Sequence, residues 1–100
     1  MPGRPTLVRA QARRPQAVAL GYTPETDEAP RVLAAGQGLV AEQILAAARA
    51  NNVPIHEDPG LAAALATVEL DTAIPPELYV VVAEVLAYVY RMQKRSLQQR

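Results

Sequence analysis

The sequence predicts an α/β fold: a small, mostly parallel central sheet of about four strands, covered by helices. Three stretches carry that prediction. Arg31–Asp58, RVLAAGQGLVAEQILAAARANNVPIHED, reads as strand, glycine turn, helix, strand. Two strands joined by a helix of that length ordinarily run parallel with a right-handed crossover. QAVALGY, residues 16–22, is a β-run ending in a turn signal. Pro75-Pro76-Glu77 opens a long apolar stretch that reads as a helix to about Lys94 and is long enough to cover a sheet.

In chain order, residues 1–15 hold three prolines and four arginines and read as a flexible basic arm, in which Thr6-Leu7-Val8 adds an edge strand at most. Ala17-Val18-Ala19-Leu20 is a strand, and Thr23–Ala29 an acidic loop. The residue before a proline is pushed out of the α region, so Ala29 enters the next strand extended. Val32 and Leu33 open that strand, and Gly36 and Gly38 punctuate it. The helix from about Gly38 to Ala50 places Val40, Ile44, Ala47 and Ala48 on one face. Asn51-Asn52 tolerates a left-handed C-cap, and Val53 to Ile55 forms the second strand of the unit. Asp58 is an N-cap with Pro59 at the first helical position. That short helix runs to about Ala66 and buries Leu61 and Leu65, after which Val68 and Leu70 pin the connection to the core.

The last helix contains five valines between Val80 and Val89, which favour a strand by propensity. Its length, its two leading prolines and the seven-residue spacing of Glu77, Glu84 and Arg91 outweigh that preference. Leu78, Val81, Val82, Val85 and Val89 form one apolar face, suited to the sheet. Tyr79, Ala83, Leu86 and Tyr90 form a second, adjacent one. A helix apolar around most of its girth is either deeply buried or offers a face to a partner. In so small a domain the second face is a candidate contact surface, with burial as core the alternative.

One hundred residues, half of them hydrophobic, bound the chain to one globular domain with a modest core. The aromatic residues are four tyrosines, so the core is aliphatic. The absence of cysteine removes disulfides, thiol catalysis and cysteine-ligated zinc. Net charge is zero but unevenly placed: the ten acids share the middle of the chain with Arg31 and Arg49 alone, and the other eight cations sit at the two ends. Basic ends of this kind act as solvated termini or touch an acidic or membrane surface, and they lack the interleaved aromatics of a nucleic-acid reader. No signal peptide and no segment of transmembrane length is present.

Gly36-Gln37-Gly38-Leu39-Val40-Ala41 has the G-x-G-x-x-A form of a dinucleotide fingerprint, with Glu57 some twenty residues on as the ribose acid. The competing reading is two glycines turning a strand tightly into a helix, and it is favoured because too few strands follow to build the crevice. His56 has no second nitrogen ligand or nucleophile beside it and reads as a surface residue at a strand end. Glu57 and Asp58 point to opposite sides of an extended chain and make a poor dyad. No metal, cofactor or catalytic group is expected.

From Gln16 to Met92 the chain resembles the C-terminal cytoplasmic domain of FlhB, the export-switch protein of the flagellar type III secretion apparatus. The resemblance rests on AVALGY, EAPRVLAAGQGLVAEQI, ARANNVPIHEDPGLAAAL and IPPELYVVVAEVLAYVY in that order. It implies a domain at 16–94 between the basic arm, 1–15, and a basic tail, 95–100. Members carry Asn-Pro-Thr-His before the AVAL strand, where the Asn amide attacks its own carbonyl and cuts the chain. Ala12, Arg13, Arg14 and Pro15 stand at those positions, and no Asn-Pro occurs anywhere. Self-cleavage is therefore not expected. The membrane half is missing too, so the chain looks like the free-standing FlhB-like proteins sometimes called FlhX.

What the resemblance implies about function is a non-enzymatic, protein-binding module of the bacterial export apparatus, cytoplasmic and at most peripheral to the membrane. Its partners would be flagellar export substrates of the rod or hook type, the membrane half of FlhB, or other export-gate components. In the family a small apolar patch recognises substrates during specificity switching. Its positions correspond to Ala29, Pro30, Ala83 and Leu86, with Tyr79 and Tyr90 as possible further contacts. The alternatives are a small nucleotide-binding domain built on the Gly36–Gly38 turn and a regulator or stabiliser of the gate that does not touch substrates.

Overall fold

The structure, a computed structural model, describes residues 5–23 and 25–98, with side-chain environments given through 94. Its elements are β1 (Thr6–Ala10), β2 (Gln16–Gly21), β3 (Arg31–Gln37), α1 (Leu39–Ala50), β4 (Ile55–Glu57), α2 (Pro59–Leu65) and α3 (Tyr79–Gln98), the last entered through a 3-10 turn at Pro76–Leu78. The four strands form one sheet in the order β3-β2-β1-β4.

The sheet is mixed, which corrects the mostly parallel arrangement. Only β1 and β4 pair in parallel; β1–β2 and β2–β3 are antiparallel. The β3–α1–β4 crossover does leave its two strands pointing the same way, but at opposite edges of the sheet. The β1–β2 hairpin lies between them, and its five-residue connection, residues 11–15, is too short for a parallel return.

A second correction concerns the start of the chain. Thr6–Ala10, placed in a flexible arm or at an edge, is a central strand paired on both sides. Leu7 and Val8 are 1% and 0% exposed, among the most buried side chains in the molecule. The surrounding prolines and arginines mask a strand whose apolar residues number only three. The expected arm's residues 1–4 and the last two of the expected tail lie outside the described residues, while α3 continues through Gln98 into that tail.

Side chains alternate across the sheet with the strand period of two. Leu7 and Ala17, backed by Ala19, face α1, where Ala41, Leu45 and Ala48 close over them. Val8, Ala10, Val18, Leu20 and Val32 face the other way, onto Leu61, Ala62 and Leu65 of α2, Ile74, and Val82, Val85 and Val89 of α3. The core is thus two aliphatic layers separated by the sheet. The α1 face is turned by about one residue from the expected one: Ala41 and Leu45 are buried, Ile44 is partly buried, and Val40 and Ala47 are exposed.

Caps form where side-chain chemistry calls for them. Asp58 Oδ1 accepts from the Leu61 amide at 3.1 Å, with Pro59 at the first position of α2. Asn52 takes φ 57° at the end of α1, and Asn51 Nδ2 donates to the Ala47 carbonyl at 2.8 Å. β4 begins at Ile55, two residues later than expected. Val68 packs against the core, whereas Leu70 is exposed.

Candidate functional site

Helix α3 carries three apolar stripes, and only one of them is core. Val82, Val85 and Val89, spaced three and four residues apart, are 0%, 7% and 8% exposed. On one flank Tyr79 and Tyr90 are about half exposed, Ala83 is exposed, and Leu86 is partly buried against the core. On the other flank Val81, Tyr88 and Met92 are also exposed, which corrects the assignment of Val81 to the sheet-facing side. At 100° per residue the buried stripe lies between the two flanks.

The second flank is oriented by a contact that was not legible in the sequence. His56 of β4 meets the Tyr88 ring edge-on, with centroids 6.3 Å apart and planes at 65°. His56 pairs in register with Val8, so its side chain leaves the sheet on the α2–α3 face. The histidine is thus partly buried in a ring contact and is not a bare surface residue. With Tyr88 turned to β4, the stripe of Tyr79, Ala83, Leu86 and Tyr90 is turned away from it.

Ala29 and Pro30 approach the first stripe from the loop before β3. The Pro30 carbonyl accepts from the Ile74 amide at 2.9 Å, and Ile74 lies just upstream of the turn into α3. Ala29 shares one core cluster with Ile74, Val82 and Val85, and Leu78 and Leu86 pack against it. At 5% exposure, however, Ala29 is a core residue and offers no surface of its own. Its small side chain lets the loop seat closely, while Pro30 is partly exposed beside it. The contact candidates at the surface are therefore Pro30, Ala83, Leu86, Tyr79 and Tyr90.

The glycine turn has a packing explanation. A Cβ on Gly36 would run into the Val40 and Ile44 side chains, so the glycine lets α1 close over the end of β3. Gly38 has φ +61°, a region that disfavours side chains, and its amide donates to the Pro15 carbonyl at 2.8 Å. Glu57 stands at the far edge of the sheet, with β2 and β1 between β4 and β3. There its carboxylate lies 2.8 Å from Arg9 Nε as an ion pair without hydrogen-bond directionality, and it accepts from the Gln11 amide at 2.8 Å. A dinucleotide site needs the glycine turn and the acid at the tips of neighbouring strands. These two are not neighbours, and the geometry does not support the nucleotide-binding alternative.

Among the described residues no group of three or more His, Asp or Glu side chains could hold a metal, and no helix is long and apolar enough to cross a membrane.

A mixed four-stranded sheet with one helix on one face, two on the other and a long, half-exposed last helix defines a small three-layer α/β domain. The chain belongs to the FlhB HrpN YscU SpaS family, whose model matches residues 15–89. It is 40% identical over 79 residues to the uncharacterized protein YlqH of Bacillus subtilis, covering 79% of this chain and 85% of that protein. It is 42% identical over 80 residues to the flagellar biosynthetic protein FlhB of Aquifex aeolicus, covering 79% of this chain but 23% of that one. The FlhB of Escherichia coli is 46% identical over 81 residues, with 80% and 21% covered. The chain thus spans less than a quarter of the length of these FlhB proteins.

Among solved structures, the cytoplasmic domain of FlhB from Shewanella putrefaciens superposes with a TM-score of 0.81 at 36% identity, covering 91% of this chain and 74% of that one. A mutated EscU C-terminal domain does so with a TM-score of 0.74 at 25% identity, covering 83% and 84%. The fold is accordingly that of the FlhB and EscU C-terminal domains. In this chain the connection between β1 and β2 has Ala12-Arg13-Arg14-Pro15 and no Asn-Pro.

Proposed function

We propose that this FlhB-like domain is a non-catalytic docking module of the flagellar export apparatus, working at the cytosolic face of the export gate. It binds short apolar segments of export subunits through Pro30, Ala83 and Leu86, with Tyr79 and Tyr90 at the two ends of the stripe. The observation that carries this reading is the α3 flank itself. Ala83 lies open to solvent and Leu86 half-buried, beside a buried stripe that already satisfies the core. Core packing accounts for one side of Leu86 and leaves Ala83 and the outer side of Leu86 as apolar surface. The contact area is small, so binding is weak and reversible, as a relay between successive subunits requires.

Retention of purified rod- or hook-type export subunits by the immobilised chain tests the reading. The Ala83→Asp chain should lose the subunits. A chain that retains the membrane half of FlhB but no subunit would favour the role of gate stabiliser instead.

A further inference from the structure

The α3 stripe runs between two ends of opposite charge. At its Tyr79 end, the loop before β3 and the segment leading into α3 are stitched together by three backbone bonds: Ile74 N–H to Pro30 at 2.9 Å, Val32 N–H to Thr72 at 3.1 Å and Asp71 N–H to Val32 at 2.8 Å. These two segments carry the exposed acids Glu25, Glu28, Glu69, Asp71 and Glu77. The Asp27 carboxylate is occupied by the Thr23 amide. Arg31 is the one cation among the described residues of both segments, and its guanidinium donates to the Asp71 carbonyl. At the Tyr90 end the described charged side chains beyond Glu84 are Arg91 and Lys94, both exposed. From Tyr79 to Tyr90 the helix rises about 16 Å, the length of roughly five extended residues.

We propose that the occupant of this stripe is a protein segment with an apolar centre and a basic end, laid with its basic end over the acidic rim around Pro30. The inference rests on the reading of the stripe as a docking surface and adds the charge and direction of what docks. An apolar patch of a few small side chains distinguishes poorly among apolar segments. A charge gradient along it sets orientation and raises encounter rates without needing more buried area. A segment with an acidic end in the same place meets five exposed carboxylates, and that like-charge contact works against the wrong partner.

The test is a backbone-amide NMR titration of the full chain with three synthetic peptides. They share one Leu/Val/Ala centre and differ only in a terminal pair: Lys-Lys, Gln-Gln or Glu-Glu. The Lys peptide should shift amides along Tyr79–Tyr90 and along 69–77. It should bind about fivefold more tightly than the Glu peptide at low salt, a ratio in keeping with exposed ion pairs. The difference should collapse near 1 M salt, and in a chain carrying Glu69→Gln and Glu77→Gln, both exposed positions. Equal binding of all three peptides at the stripe would overturn the charge inference and leave the docking surface standing. If no peptide perturbs Ala83 and Leu86, the inference and the docking surface fall together. A Lys peptide that shifts only residues away from α3 would also overturn it.

Discussion

The Ile74 amide donates to the Pro30 carbonyl across 2.9 Å, and this bond holds the loop before β3 against the segment that launches α3. The loop's Ala29 is thereby buried while Pro30 stays partly open. The start of β3 and the start of α3, nearly fifty residues apart in sequence, become one surface. Its composition divides cleanly into residues that hold the fold and residues that face solvent, and the division can be tested one side chain at a time.

Aspartate placed at three positions on α3 should separate core from surface. Val85→Asp puts an unpaired carboxylate at a site 7% exposed and should cost more than about 3 kcal/mol or prevent folding. Leu86→Asp, partly buried against the core, should cost about 1–2 kcal/mol. Ala83→Asp, exposed, should stay within about 0.5 kcal/mol of the parent. Urea unfolding monitored by circular dichroism gives the order. A loss at Ala83 equal to that at Val85 would place the stripe in the core.

Strand β1 should be indispensable. Leu7 is 1% exposed, and Leu7→Ala should destabilise the domain by about 2–5 kcal/mol. Removing residues 1–11 should leave β2 and β4 with unpaired inner edges and give a chain that does not fold cooperatively. A truncated chain that melts like the parent would contradict the central position of β1.

How much of this was legible beforehand depended on how far apart the deciding residues lie in sequence. The caps at Asp58 and Asn52, the α2 residues Leu61 and Leu65, and the Val82–Val85–Val89 stripe each depend on neighbours within a turn or two, and local pattern was enough to find them. Strand order was not legible, because no residue of β3 or β4 records that a hairpin will lie between them. β1 was missed because three apolar residues among prolines and arginines carry little periodic signal. Its burial is decided by β2 and β4 closing on both sides. On α3 the periodicity set Ala83 and Leu86 on a face apart from Val82, Val85 and Val89, though Leu86 still packs partly on the core. It did not set apart Val81, which is exposed on the same flank as the Tyr88 that meets His56. Ala29 was set in the patch by the family resemblance alone, and a small residue beside a proline carries no sign in the sequence of the loop that buries it.

The glycine turn should behave as packing. Gly38→Val forces a β-branched side chain to φ +61° and should cost about 1–2 kcal/mol in thermal unfolding. Gly38→Asn should be no milder, since at ψ −128° the residue lies outside the left-handed helical region that Asn visits. Titration of NAD or ATP against the parent should give no saturable shift at Leu39–Ala41. Saturable binding abolished by Gly38→Val would revive the nucleotide site.

The most direct measurement is quantitative retention of one purified rod- or hook-type export subunit by three immobilised chains: the parent, Ala83→Asp and Val81→Asp. Both substitutions lie at exposed positions of the same helix, on opposite flanks of its buried stripe. Docking through the Pro30–Ala83–Leu86 flank predicts that the parent and Val81→Asp retain the subunit alike, and that Ala83→Asp loses it by at least about tenfold, the equivalent of about 1.4 kcal/mol. Retention by Ala83→Asp equal to that of the parent, or loss through Val81→Asp instead, would contradict the account.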